Sequence, residues 1–480
     1  MVLSVVTKAH NLNTFHRLRE ENVACLMLID ATRHSYRSIM STLDTGMALP
    51  EPLMRRVVMR LAPLMILMYI ANQLDRANVG YAALTMNAEL HMSAAQYGMS
   101  ASLFFLGYIL CEVPSNLCMH RFGARIWMAR ILITWGLLSS LTSLVPNVYW
   151  LYVARFFLGV FEAGLYPGMV YYMTLWMPAR NRVWMMSLFT VSIPLTGMLG
   201  APISTWLMEH LNVFGVTGWR AMIMVEGLPA IALGFIAYFW LPNRPETARW
   251  LSSEERTQIN EAIAPERKAA AQWVEPTSAW ETISNLKVWA LGAVYFGTNS
   301  GIIGLLYFLP QVVKTFKSSA DLTLSQIGLI TAIPFAVAVV AVLLWGKIVS
   351  RKSMNAYYVA GPLLVSGASL ATALYLESPI NTIIALAIGT SACFCSISTF
   401  WQMPSRILTD RAAATGIALI TSIGVSSGFL MPYFIGWVRD TTGTFQYAFV
   451  AIAIAMTCAA FLAVALDRNR HQASASGIAF

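Results

Sequence analysis

Twelve apolar stretches, each close to the 20 or so residues that a membrane-crossing helix needs, alternate with short polar segments along this chain. They fall into two groups of six, which one longer polar segment separates. The predicted spans are residues 61–82, 97–117, 126–145, 149–173, 185–207, 221–241, 288–312, 327–349, 357–375, 382–404, 416–438 and 445–466. The pattern therefore predicts an all-α membrane protein with 12 transmembrane helices in two six-helix halves.

The polar segments define the expected domain organisation. It consists of an N-terminal tail at 1–56, six-helix halves at 57–241 and 287–466, a linker at 242–286 and a C-terminal tail at 467–480. The N-terminal tail has no secretory signal pattern, and Met40 and Met47 are alternative start residues. In the linker, the segment 243–256 predicts a short amphipathic helix on the membrane surface, capped by Ser252 or Ser253.

The composition agrees with a surface that faces lipid. Only 11% of the 480 residues are charged and 57% are hydrophobic, whereas soluble domains carry about 25% charged residues. The net charge of +9 would suit nucleic-acid binding in a soluble protein. Here the basic residues lie between apolar runs, which indicates membrane topology and argues against a nucleic-acid partner.

Alternate loops carry most of the lysine and arginine. The basic loops contain Arg55, Arg56, Arg60, Arg121, Arg125, Arg130, Arg180, Arg182, Lys347, Arg351, Lys352, Arg406, Arg411, Arg468 and Arg470. The other loops are short and nearly free of such residues, with Lys314, Lys317 and Arg439 as the main exceptions. Because basic loops stay on the cytoplasmic side, we predict an inner-membrane protein with both termini in the cytoplasm.

The two halves resemble each other in one place. A tight basic turn follows the second span at residues 114–125, and a similar turn follows the eighth span at 345–352. Parallel repeats of this kind are typical of carriers that work by alternating access.

Ionisable residues inside the predicted spans are the main functional candidates, because a charge at a helix centre costs about 2.5–3.5 kcal/mol to insert. The first span carries Asp75, Arg76 and Asn78, and the fourth carries Arg155 and Glu162. The fourth-span pair is seven residues apart, so both lie on one helical face about 10 Å apart. If the two spans face each other, two acids and two arginines line one water-filled centre.

That set of residues suits the coupled transport of an anion and a proton. The planar fork of arginine matches a carboxylate, and a carboxyl group in a low-dielectric site can carry a proton. The structural alternative is that Asp75–Arg76 and Arg155–Glu162 are buried pairs that only hold the bundle together.

Four further polar or aromatic residues have weaker claims. Glu112 and Glu226 lie near predicted helix ends, where we expect pairing with loop arginines and with Arg220, respectively. Tyr108 and Trp401 are either substrate contacts or packing residues.

The sequence offers no cofactor or metal site. The six cysteines lack zinc-ligand spacing, and there is no nucleotide-binding glycine loop and no nucleophile motif. An ion gradient is therefore the expected energy source, and protons are the simplest choice because the candidate coupling groups are carboxyls.

Five motifs in order resemble the anion:cation symporter family of the major facilitator superfamily, over about residues 56–466. They are QLDRANVGYA at 73–82, GYILCEVPSNLCMHRFGAR at 107–125, RFFLGVFEAGLYPG at 155–168, GWRAMIMVEGLPAIALGFIAYFWLPNRPETARWLSSEE at 218–255 and FWQMPSRILTDRAAATGIALITSIG at 400–424. The resemblance implies a major facilitator fold and proton-coupled uptake of a small organic carboxylate such as tartrate, a sugar acid or an aromatic acid.

The resemblance also implies roles for single residues. Asp75 and Glu162 match proton-handling acids, and Arg76 and Arg155 match arginines of the anion site. The matches to substrate-cavity positions are Tyr108 and Trp401, and we add Asn78 and Thr421 as candidate substrate contacts.

The sequence departs from the family pattern at positions that bear on the substrate. Gln73 replaces a frequent tyrosine, and Thr421 stands where many sugar-acid carriers have asparagine. Both changes favour a less hydroxylated or an aromatic acid. His120 also replaces the usual loop aspartate.

Two alternative functions stay open from the sequence. A drug/proton antiporter would share the fold, and GMLGAP at 197–202 is faintly similar to an antiporter motif. The intramembrane arginines favour anions over cationic drugs. A membrane enzyme or sensor would need a catalytic cluster or a soluble signalling domain, and neither is visible. The expected partners are the organic anion, protons and the lipid bilayer, with the protein acting as a monomer.

Overall fold

The computed structural model describes residues 49–272, 284–316, 321–350, 352, 354–404, 408 and 410–475. The alternative start residues Met40 and Met47 and the loop cations Lys317, Arg351 and Arg406 lie outside these ranges. Helices make up almost all of the described chain, in which one isolated bridge between Val213 and Val216 is the only β-type pairing.

Eight helices form the N-terminal half. They are α1 (Glu51–Glu89), α2 (Ala94–Phe122), α3 (Ala124–Thr142), α4 (Val148–Glu162), α5 (Leu165–Trp176), α6 (Ala179–His210), α7 (Gly218–Glu226) and α8 (Leu228–Trp240). The fourth span is α4 plus α5, which are separated at Gly164, a residue in the left-handed region at φ 90°. The sixth span is α7 plus α8, which are separated at Gly227.

A linker helix, α9 (Ser253–Gln272), precedes the C-terminal half. The helices of that half are α10 (Leu286–Lys314), α11 (Leu324–Val349), α12 (Tyr357–Ala373), α13 (Pro379–Phe400), α14 (Asp410–Thr442) and α15 (Gln446–Ala475). Within the described ranges, ten helical segments are long and apolar enough to cross a bilayer. The third and ninth predicted spans are the shorter helices α3 and α12, with 19 and 17 residues.

The helices extend beyond the predicted spans at both ends of the chain. α1 begins at Glu51, inside the segment expected to be tail, and α15 continues to Ala475. Hydropathy marks where a chain enters lipid, whereas a helix ends where its backbone hydrogen bonds end, so the two boundaries differ.

The linker is fixed to the N-terminal half. The Ser252 hydroxyl accepts from the Glu255 amide at 3.2 Å while the Glu255 carboxylate accepts from the Ser252 amide at 3.0 Å. This reciprocal capping starts α9 and confirms Ser252 as the cap. Glu255 also pairs with Arg56 of α1 at 2.6 Å, and Trp250 stacks on the buried Trp176 with ring centroids 5.9 Å apart.

Two glycines bring α2 and α4 close enough to build the centre of the N-terminal half. A Cβ on Gly159 would lie 1.9 Å from the Phe104 carbonyl oxygen, and one on Gly107 would lie 2.2 Å from the Phe156 carbonyl oxygen. Only glycine allows backbones to approach so closely. The crossing places the polar face of α4 against Phe104 and Tyr108 of α2.

The two halves are closed against each other at the end of the bundle where α1 finishes, called here the Glu89 end. Asp440 of α14 accepts from the amides of Ala94 and Ala95, at 2.9 and 2.8 Å, at the start of α2. Glu209 of α6 accepts from the amide and hydroxyl of Ser325, at 2.8 and 2.5 Å, at the start of α11. Each acid thus stabilises the N-terminus of a helix from the opposite half.

The same contact is built twice because the halves are repeats. α2 starts with a capping box of Ser93 and Gln96, and α11 starts with one of Thr323 and Gln326. The corresponding sequences, SAAQYG at 93–98 and TLSQIG at 323–328, share only two identical letters, so this part of the repeat is visible only in the structure.

Candidate functional site

An ion pair between α1 and α4 lies at the centre of the N-terminal half. The Arg76 Nε donates to Glu162 Oε1 at 2.5 Å, and the Glu162 side chain is fully buried. The Arg76 guanidinium also lies 4.8 Å from the centroid of the Tyr108 ring. Arg76 therefore pairs with Glu162 of another helix, and the buried pairs of the structural alternative, Asp75 with Arg76 and Arg155 with Glu162, are not the ones that form.

Arg155 of α4 is buried without a carboxylate partner. It is 2% exposed, and its Nε donates to the Ser100 carbonyl oxygen at 3.4 Å. Its guanidinium lies 4.9 Å from the Phe104 ring centroid, and its Nη2 has no hydrogen-bond partner. Tyr307 of α10 lies beside it from the opposite half, and the Tyr307 hydroxyl is also without a partner.

The two arginines share one aromatic neighbour. The Arg76 guanidinium is 5.5 Å from the Phe104 ring centroid, and Arg155 is 4.9 Å from the same centroid. The structure therefore brings Arg76, Glu162 and Arg155, three of the four residues of the predicted centre, together with Tyr108.

Asp75 points elsewhere, towards α3. Its Oδ2 accepts from Trp135 Nε1 at 2.8 Å, and its Oδ1 accepts from the Ser139 hydroxyl and from Asn78 Nδ2, the latter at 3.2 Å. Successive helical residues are about 100° apart, so Asp75 and Arg76 cannot share one face. The expected single centre is thus two polar regions, with Asp75 and Asn78 inside the N-terminal half.

The two acids expected to be peripheral are central instead. Glu112 is close enough to Arg76 and Tyr108 to interact with both, rather than with the loop arginines. Arg220 pairs with Glu89 at 2.7 Å, so it does not neutralise Glu226. Glu226 is 7% exposed and accepts from the Ser204 hydroxyl at 2.6 Å.

Aromatic side chains of the C-terminal half form the opposite wall. Tyr295 of α10 stacks on Phe400 with centroids 5.3 Å apart, and the Trp401 ring meets Tyr295 edge-on at 5.0 Å. Tyr295 lies within electrostatic range of Arg76 and Glu112 across the boundary between the halves. Trp401 was a candidate from the sequence, whereas Tyr295 was not. A tyrosine within an apolar span carries no charge that would mark it as a functional residue.

The two remaining candidates do not contact the arginines. The Thr421 hydroxyl donates to the Ile417 carbonyl oxygen of its own helix at 2.8 Å. Asn78 donates to Asp75, as described above. The Asn299 side chain of α10 donates to the Ser427 hydroxyl of α14 at 2.9 Å. Asn299 is therefore a further polar residue of this wall, and it was not among the candidates from the sequence.

The described residues contain no group of three His, Cys, Asp or Glu side chains that could hold a metal ion. The chemistry available to the site is the exchange of protons on carboxyls and the binding of anions by arginines. Such a site, enclosed by many apolar spans, is typical of a multi-pass membrane transport protein.

Comparison with known proteins identifies the family. A family model described as Major Facilitator Superfamily matches residues 65–432, and the chain belongs to that superfamily. The xylose transporter XylE from E. coli, in its inward open conformation, has the same fold: the TM-score is 0.67 at 16% identity, covering 84% of this chain and 95% of that one.

Two bacterial relatives bear on which branch of the superfamily the chain resembles. A relative from Agrobacterium vitis named as a tartrate transporter is 40% identical over 420 residues, 88% of this chain and 92% of its own length. A relative from Acinetobacter baumannii named as a quinolone resistance transporter is 33% identical over 407 residues, covering 85% and 93%. The first of these agrees with the anion:cation symporter-like branch that the motifs indicate.

Proposed function

We propose that the chain is a proton-coupled symporter that imports a small organic carboxylate through the inner membrane by alternating access. The observation that carries the proposal is Arg155, a cation that is 2% exposed and has an unpaired donor beside the boundary between the halves. The protein acts as a monomer with both termini in the cytoplasm.

A carboxylate substrate is the natural partner for this arginine. A buried, unpaired charge is costly inside a membrane, and a bound anion removes that cost by pairing with it. The guanidinium fork can bind both oxygens of one carboxylate. The Agrobacterium relative named for tartrate supports a small acid as the cargo.

The Arg76–Glu162 pair provides a way to couple the anion to a proton. When Glu162 is ionised, it occupies Arg76 through the 2.5 Å contact. When Glu162 takes up a proton, the ion pair is lost and the Arg76 guanidinium becomes available to the substrate. Anion and proton then bind together, which is the requirement for symport.

The aromatic wall bears on which acid is carried. Tyr295, Phe400 and Trp401 offer ring faces and edges, and the Thr421 hydroxyl is bonded to its own helix. Such a wall suits a flat or sparsely hydroxylated acid better than a polyhydroxylated one.

A drug/proton antiporter is the second candidate, and the Acinetobacter relative named for quinolone resistance favours it. It would use the same carboxyls but would move its substrate against the direction of the protons. The two candidates therefore differ in the direction of substrate movement under one proton gradient.

Uptake by purified protein in liposomes tests the proposal. The panel is labelled tartrate, a hexonate, 4-hydroxyphenylacetate and phthalate, under an inward proton gradient with and without a protonophore. Symport predicts that one acid accumulates and that the protonophore abolishes accumulation. No accumulation of any acid, with proton-driven loss of a preloaded aromatic drug, would establish the antiporter.

A further inference from the structure

A second polar region lies inside the N-terminal half, away from the arginines. We call it the inner polar pocket, and it consists of Asp75, Asn78 and Tyr81 of α1, Ser204 of α6 and Glu226 of α7. The proposed coupling above uses Glu162 and leaves most of this pocket without a function.

Three members of the pocket form one stripe on α1. Asp75, Asn78 and Tyr81 recur every three residues, so each is a surface neighbour of the next and the stripe winds gradually around α1. The stripe rises about 9 Å along the helix axis, from Asp75 towards the Glu89 end. It turns away from Arg76 and faces the helices that carry Glu226 and Ser204.

Glu226 is the unexplained group in the pocket. Its Oε1 accepts from the Ser204 hydroxyl at 2.6 Å, while its Oε2 is buried and has no partner. The Tyr81 hydroxyl is within electrostatic range of Glu226 and is likewise without a partner. Asn78 donates to Asp75 at 3.2 Å and lies beside Glu226, so it stands between the two carboxyls.

The charges around Glu226 do not balance two carboxylates. From α1 it faces Asp75 and Tyr81, and from α6 it accepts from the Ser204 hydroxyl. The Ser140 hydroxyl of α3 donates to the Met224 carbonyl oxygen of the helix that carries Glu226. The part of α8 that follows Glu226 is apolar. Two anions within electrostatic range of each other in such surroundings would repel each other strongly.

The nearest arginines do not remove this repulsion. Arg220, on the same helix as Glu226, pairs with Glu89. Arg155 is within electrostatic range of Asp75 but forms no ion pair with it in the described residues. The pocket can therefore hold one negative charge far more easily than two.

We propose that Glu226 is a second proton-holding group of the transport cycle, which shares the transported proton with Asp75. The step is a proton transfer: an O–H bond on one carboxyl breaks, an O–H bond forms on the other, and the negative charge moves between them. The inference rests on the proposed proton symport. By sharing the proton, Glu226 also sets the pH range in which Asp75 exchanges its proton.

The pH profile of uptake by the Glu226→Gln variant tests this inference. Glutamine can still accept from the Ser204 hydroxyl, but it removes the negative charge next to Asp75. Asp75 then loses its proton more easily, so the alkaline limb of the uptake profile should shift to lower pH by about one unit. The same change at Glu51, an exposed acid at the start of α1 and outside the pocket, serves as the matched control and should leave the profile in place.

The outcomes separate the inference from the proposed function. If the wild type shows no proton-dependent uptake, both fail together. If the wild type is proton-coupled and Glu226→Gln has the same profile, the inference alone fails. If Glu226→Gln does not fold, Glu226→Asp replaces it, because aspartate keeps a titratable group and should give a smaller shift. A Glu226→Asp profile identical to that of the wild type, with Asp75→Asn still inactive, would overturn the inference.

Discussion

Replacing Arg155 with lysine should weaken substrate binding while leaving the fold intact. The arginine is 2% exposed, and its guanidinium is held by the Ser100 carbonyl oxygen and the Phe104 ring. Lysine keeps the positive charge and much of the length of the side chain. It loses the planar fork, the Nε contact with Ser100 and the fixed direction of the donors.

The expected size of the effect follows from the lost hydrogen bond. A fork binds both carboxylate oxygens, whereas an ammonium group replaces this with one directed contact. A hydrogen bond to a charged group contributes about 1.5–3 kcal/mol. With tenfold for each ~1.4 kcal/mol, Arg155→Lys should raise the substrate Kd by about 10-fold to 100-fold.

The assay is substrate counterflow in liposomes at equal pH on both sides, which measures substrate recognition without net proton movement. Arg439→Lys is the matched control, because Arg439 lies over the Phe445 ring at 5.3 Å, near the Glu89 end and away from the central arginines. The control should retain wild-type affinity. An unchanged Kd in Arg155→Lys would refute the role of Arg155 as the anion-binding residue and leave it as a packing residue.

Three further predictions follow from named contacts. Glu162→Gln frees Arg76 permanently, so it should retain counterflow and lose at least about tenfold in proton-driven accumulation; full accumulation would contradict the coupling role. Asp75→Asn should likewise spare exchange and abolish proton-driven uptake, and unchanged uptake would remove Asp75 from the mechanism. Gly159→Ala places a Cβ 1.9 Å from the Phe104 carbonyl oxygen, so it should destabilise the protein by about 1–3 kcal/mol in thermal unfolding, whereas alanine at Gly361, with open space around it, should not.

The closed Glu89 end also gives a prediction about conformation. Asp440→Asn with Glu209→Gln removes the charge from both contacts with helix N-termini, each worth about 0.3–1 kcal/mol for exposed groups. In the closed state the Ser102 hydroxyl accepts from the Tyr433 amide of the opposite half at 3.2 Å. A cysteine introduced at Ser102 should therefore react faster with a water-soluble thiol reagent in the double variant. An unchanged labelling rate would show that these acids do not hold the end closed.

Hydropathy predicted a helical bundle, because each span must satisfy its backbone hydrogen bonds within lipid. In the described residues ten helical segments are long and apolar enough to cross a bilayer, and the third and ninth predicted spans are the shorter helices α3 and α12. Hydropathy was also enough to select Asp75, Arg76, Arg155 and Glu162, since ionisable residues in apolar spans are rare. All four lie in the N-terminal half. Arg76, Arg155 and Glu162 meet at one centre, whereas Asp75 faces α3.

The sequence did not indicate which side chains these residues contact. Whether Arg76 pairs with Asp75 or with Glu162 depends on the rotation of α1 about its axis and on the position of α4. The position of α4 depends in turn on close backbone contacts such as the one at Gly159. Glu226 was expected near a helix end and paired with Arg220, because it lies close to the start of the predicted sixth span. In the structure the helix break at Gly227 leaves that carboxyl buried inside the bundle.

The most direct test of the account measures substrate and proton movement together. Liposomes that contain the protein and a trapped pH-sensitive dye receive an inward gradient of the acid that accumulates in the uptake panel, with no initial pH difference. Proton symport predicts that the lumen acidifies as the acid enters and that Glu162→Gln abolishes the acidification. Entry of the acid without a pH change, or with alkalinisation of the lumen, would contradict proton symport.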